Sequence, residues 1–116
     1  MKTRKLVFND YELSDIASKF KILSESSRLK ILRALSAGEK CVKEITLSTG
    51  LMQANVSKQL KILESNNIVA CRPSGLQRYY TLSDSTVLRL CNILCQQNNQ
   101  EVNEIQFQTH NREQNN

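Results

Sequence analysis

Apolar residues recur along most of this chain at spacings of three and four, the rhythm of helices packed on one side. Leu13, Ile16, Ala17, Phe20 and Leu23 mark one face, and Asn9 with Glu12 three residues on signals the start, so a helix is expected over about 10–23. Ser24-Glu25-Ser26 interrupts the pattern, and Ser26 or Ser27 is placed to cap a second helix. That helix carries Leu29, Leu32 and Leu35, with Ile31 flanking, and ends near Gly38. Val42, Ile45 and Leu47 form the apolar side of a short third helix, Gly50 breaks it, and Val56, Leu60 and Leu63 set a new stripe over about 54–65. The rhythm then changes. Ile68–Arg72 and Arg78–Leu82 are rich in β-branched and aromatic residues around Pro73-Ser74-Gly75, the pattern of a β-hairpin. Ser83 or Asp84 opens a last helix with Val87, Leu88, Leu90, Cys91, Leu94 and Cys95 apolar.

The fourth helix has an uncommon second face. Gln53, Asn55, Ser57, Lys58, Gln59 and Lys61 back its apolar stripe with amide, hydroxyl and ammonium groups. Amides can read adenine edges in the DNA major groove, while lysines and hydroxyls hold phosphates. Residues 42–63 therefore read as a helix-turn-helix whose second member is a recognition helix, against the alternative of a helical hairpin with a solvated face. The hairpin that follows carries Arg72 and Arg78 near its tip, beside Gln77, where they could meet phosphates or the minor groove. The plainer alternative is a hairpin that only covers the core.

Composition agrees with an anionic partner. The net charge is +5 and the pI about 9.2, a balance that favours DNA, RNA or an anionic surface without choosing among them. With 116 residues the chain allows one domain, expected over 10–97, between a basic arm at 1–9 and a Gln/Asn-rich tail at 98–116 whose composition predicts disorder. No run of about twenty apolar residues suits a membrane span, and the N-terminus lacks a signal-peptide pattern. A cytoplasmic protein is expected. Four cysteines without a C-x-x-C pair, and a single histidine, His110, exclude zinc-finger spacing. No phosphate loop, nucleophile elbow or acid–base cluster is present, so an enzyme is not expected.

The block FKILSESSRLKILRALSAGEKCVKEI, followed by NVSKQLKILESNNIVACRPSGLQRYYTLSD, resembles the ArsR/SmtB family of bacterial repressors. The resemblance spans residues 11 to about 95. It implies a mainly α fold with a small β-hairpin, a winged helix-turn-helix that dimerises through its first and last helices. It also implies a homodimer on a double-stranded, inverted-repeat operator, released by an inducer. By position, Gln53, Asn55, Ser57, Lys58 and Lys61 would contact DNA, and Arg72 and Arg78 its backbone.

The family's familiar sensing sites are incomplete in this chain. Where arsenic-responsive members carry Cys-Val-Cys, this one has Cys41-Val42-Lys43. The zinc site of the last helix would need ligands at Asp84, Thr86, Gln97 and Gln100, of which only the first suits a divalent ion. The second-helix cysteine of persulfide sensors is replaced by Arg33. No resident cofactor is therefore expected. The remaining candidates for inducer sensing are Cys41, at a helix start beside Lys40 and Lys43, and Cys91 with Cys95, four apart on one helix face. Their plainer roles are a framework residue and interface packing, and packing is also the expected role of Cys71. Thiol oxidation or persulfidation is the favoured switch. The rival is a soft metal or metalloid ion on Cys41 with Cys91 or Cys95.

Overall fold

The computed structural model describes residues 5–96. Its elements are α1 (Asp10–Leu23), α2 (Ser26–Ser36), β1 (Lys40–Cys41), α3 (Val42–Thr49), α4 (Gln53–Ser65), β2 (Val69–Ser74) and β3 (Gln77–Leu82). A last helix, α5, begins at 85 and runs to the end of the described residues at 96. The tail expected at 98–116, the arm residues 1–4, Gln97 and Gln100 lie outside them. The chain divides into two compact units after Asp84.

In the first unit, α2, α3 and α4 pack around Ile31, Leu32, Leu35, Ile45, Val56, Leu60 and Leu63, joined by Ile68, Val69 and Tyr80 from the sheet side. Full burial of each large aliphatic chain contributes about 1.5–3 kcal/mol, so these few side chains hold the three helices together. Asn9 caps α1 as its sequence indicates: its side chain accepts the Glu12 N–H at 2.8 Å. α2 departs from expectation. Its N-cap is Glu25, without a side-chain cap bond, and neither Ser26 nor Ser27 fills that place. Ile31 is wholly buried while Leu29 is 39% exposed, so the core stripe is rotated toward Ile31.

The turn between α3 and α4 depends on Gly50, whose φ of 72° is left-handed, with its N–H on the Thr46 carbonyl at 3.0 Å. Leu47, expected on the apolar side of α3, is 76% exposed. α4 ends in a Schellman arrangement. Asn67 takes φ 60°, Ile68 N–H reaches Leu63 O at 2.9 Å and Asn67 N–H reaches Glu64 O at 3.0 Å. Leu63 and Ile68 are both buried there, so the cap also aims the chain into β2.

The hairpin belongs to a three-stranded antiparallel sheet of order β1-β3-β2. Strand β1 was not evident in the sequence because two residues are too few to show a period. Pro73 and Ser74, expected in the turn, are strand residues, and the turn is Gly75-Leu76. β2 is an edge strand, so Pro73 can lack an N–H there without breaking a ladder. Gly75 alone in the turn has a positive φ, 61°, as a type II′ hairpin requires at its first central position. At the hairpin base, Ser83 N–H donates to Ile68 O and its hydroxyl donates to Asn67 O at 2.8 Å.

Candidate nucleic-acid interface

Helix α4 is built from two opposed surfaces. Val56, Leu60 and Leu63 face the core, and the side turned away from them carries Ala54, Lys58, Lys61 and Ser65, all exposed. Gln53 is exposed on the flank of that side and Ser57 is half-buried on it. Neither Lys58 nor Lys61 takes part in an ion pair among the described residues. Two lysines with unspent charge on the solvent side of a helix anchored by its other side make a surface suited to an anionic groove.

Two of the amides expected on this surface are turned elsewhere. Gln59 is 3% exposed and forms the centre of a polar network. Its carbonyl oxygen accepts Arg28 Nε–H at 2.9 Å, while its NH2 donates to Glu25 Oε1 and Asn55 Oδ1, both at 3.0 Å. Its assignment to DNA contact is therefore corrected: a side chain with its amide filled and almost no exposed surface does not reach a base. The cause is angular, since Gln59 borders Leu63 at the edge of the buried stripe, on the side toward Asn55. Asn55 is half-buried, its Nδ2 also directed to Ser27 Oγ at 3.4 Å, so it leans toward α2. Arg28, which the sequence did not single out, closes the network by pairing with Glu25 at 3.0 Å and donating to Ile22 O at 3.2 Å. The one signal available was the Glu25/Arg28 spacing, which identifies an ion pair and not its buried partner.

The wing arginines have different surroundings. Arg72 pairs across the ladder with Tyr79, and Arg78 with Pro73, so the two arginines point to opposite faces of the ribbon. Arg72 makes a two-pronged contact with Glu39, Nη2 to Oε1 at 2.7 Å and Nε to Oε2 at 3.2 Å, and lies over the Tyr79 ring at 5.0 Å. The guanidinium holds the Glu39 carboxyl below its usual range, and Glu39 raises Arg72 in turn. Arg72 is thus already engaged by a carboxylate, and Arg78 is not. Arg78 has no carboxylate partner among the described residues, and its Nη1 lies 4.0 Å from Cys71 Sγ. Cys71 in turn faces buried Tyr80, whose phenol is pushed up by burial first and by the neighbouring thiol second.

The cysteines singled out as sensing candidates fall into two groups. Cys41 is buried at the N-cap of α3, where its backbone N–H donates to Glu44 Oε1 at 3.0 Å. That bond, with the thiol beside it, holds Glu44 below the usual carboxylate range. Cys41 does begin a helix, but it is only 6% exposed, and its backbone pairs with Tyr79 in the sheet. On α5, Cys91 is half-buried and burial raises its thiol, whereas Cys95 is exposed. Among the described residues, no three His, Cys, Asp or Glu side chains converge as metal ligands, and no helix is long and apolar enough to cross a membrane.

A helix-turn-helix followed directly by a β-hairpin defines the winged helix-turn-helix class. Solved structures agree: the antimony-specific transcriptional repressor AntR superposes with a TM-score of 0.76 at 29% identity, over 87% of this chain and 92% of that one. The homodimeric winged helix-turn-helix domain of Mb0332 from Mycobacterium bovis gives 0.72 at 27% identity, over 86% and 95%. Residues 25–70 match the model of the bacterial regulatory protein, arsR family. The biofilm growth-associated repressor of Xylella fastidiosa is 32% identical over 81 residues, 70% of this chain and 71% of that protein. The chain belongs to the arsR family. It is also 34% identical to a transcriptional repressor SmtB homolog of Synechocystis over 68% of this chain, and 40% identical to an arsenical resistance operon repressor of Staphylococcus aureus over 62%. The matched stretch covers 60% and 66% of those two relatives, under two thirds of each.

Proposed function

We propose that this chain is a homodimeric, cytoplasmic transcriptional repressor that binds a double-stranded DNA operator through α4 and leaves it when its cysteines react. The observation that carries the reading is the pair of unpaired, exposed lysines, Lys58 and Lys61, on the side of α4 opposite its buried stripe. Gln53 and Ser57 flank them as base or sugar-phosphate contacts, Asn55 serves mainly to orient the helix, and Arg78 supplies the wing's charge. The names of the relatives support repression, and the homodimeric Mb0332 domain supports the two-fold assembly.

For the inducer, Cys95 is the accessible thiol and Cys91 its half-buried neighbour one turn away. Two such thiols, within a subunit or across the dimer, would each give up one proton and one electron to a peroxide. One S–S bond then forms as the peroxide becomes two waters. A second reading, a soft metalloid or metal ion bound by thiolates, is favoured by the arsenical and antimony-specific repressors among the similar proteins.

The deciding experiment counts thiols on the purified full chain, before and after peroxide or a persulfide donor, beside a gel shift on a duplex selected from a random pool. Arsenite and cadmium run in parallel. The proposal expects loss of two thiols per subunit, or a crosslinked dimer with one lost from each, together with loss of the shifted band. Release by arsenite or cadmium with the thiols still unoxidised would establish the second reading, and no release by any treatment would overturn both.

A further inference from the structure

We infer that Met52 and Ala54 read the 5-methyl groups of thymine, making them specificity-determining residues of the operator interface. The inference rests on the reading that α4 enters the major groove, and it concerns what α4 recognises there. Met52 stands at the N-cap of α4, a position that favours Ser, Thr, Asp or Asn because their side chains satisfy a free helix N–H. Met52 makes no such bond and is 80% exposed. An apolar side chain in water at a position where polarity would stabilise the helix is a local conflict of the kind found at binding surfaces.

Ala54 extends the apolar feature into the helix. It is exposed and shares one line of the helix surface with Lys58 and Lys61, at spacings of four and three. The N-terminal end of a recognition helix is the part that approaches base edges. On α4 that end presents a thioether and a methyl, with the Gln53 amide between them, while the lysines follow further along. Thymine carries the one apolar group on the floor of the major groove, and an Ala methyl is among the side chains that meet it. The Gln53 amide matches the N6 and N7 edge of adenine, the partner of thymine, so this end of α4 carries groups suited to both members of an A·T pair. A G·C pair would set Met52 and Ala54 against polar groups alone.

Uracil isolates the methyl, because it keeps the pairing and the O4 acceptor of thymine. The full chain is used to select a duplex from a random pool, and that duplex is then synthesised with thymine or with deoxyuridine in each half-site. Wild-type protein is expected to bind the uracil duplex more weakly, by about fourfold for each contacted methyl. The double variant Met52→Ser/Ala54→Ser should bind the two duplexes within about twofold of each other. Its serine at the N-cap supports the helix, so the protein should remain folded by circular dichroism. Equal wild-type affinity for the two duplexes would overturn the inference, as would an undiminished uracil penalty in the variant. Failure to select or bind any duplex at low salt would instead overturn the DNA-binding reading beneath it.

Discussion

Single side chains on the wing separate charge that is available from charge that is engaged. Arg72 and Arg78 look equivalent in the sequence, six residues apart around one turn. Antiparallel register places them on opposite faces, and Glu39 with the Tyr79 ring occupies Arg72. The pair is exposed, so it contributes little to stability, but it fixes where the guanidinium points. Each phosphate contact adds about 0.9 to the slope of log affinity against log salt. Arg78→Ala is therefore expected to lower that slope by about one unit, and Arg72→Ala to leave it unchanged, in fluorescence-anisotropy titrations at several salt concentrations. A drop of one unit for Arg72→Ala would show that DNA displaces Glu39 from it.

Between elements, the rotation of α4 is set by Gln59 as well as by apolar packing. Arg28, Glu25, Gln59 and Asn55 link the end of α1 and the start of α2 to the middle of α4. Gln59→Ala removes one bond from each of three partly buried partners, and chemical denaturation should register a loss of about 1–3 kcal/mol. Because Gln59 is buried, DNA affinity should fall by the same factor on every sequence; altered preference among duplexes would return it to the base-reading residues. The boundaries of α1, the glycine turn at Gly50 and the Val56/Leu60/Leu63 stripe were legible because each is a local pattern of period or cap. Gln59 was not. Its polarity suggests the solvent side, and only the tertiary position of Arg28 provides it with a buried partner. The Glu39–Arg72 contact and strand β1 escaped for a related reason, since both join residues far apart in the chain and leave no periodic trace. Among candidate site residues, Lys58 and Lys61 were readable from the helix period, whereas Met52 and Ala54 were passed over because an exposed apolar residue has no chemical signature in sequence.

For the molecule as a whole, apolar surface is left over in both units. Leu13 and Phe20 of α1 are 46% and 52% exposed, and Ile93 and Leu94 of α5 are 53% and 50% exposed. A second copy is the simplest cover for them. A symmetric pair presents two copies of α4 to DNA, and two-fold winged or helix-turn-helix dimers meet half-sites about one helical turn, or a multiple of it, apart. The measurement that tests this most directly is a hydroxyl-radical footprint of the full chain on its selected duplex, run beside the Lys58→Ala/Lys61→Ala variant. Two protected patches are expected, related by symmetry and separated by about 10 base pairs or a multiple, both lost at the same protein concentration when the lysines are removed from a still-folded protein. A single patch, or protection that survives the loss of both lysines, would contradict a symmetric pair bound through α4.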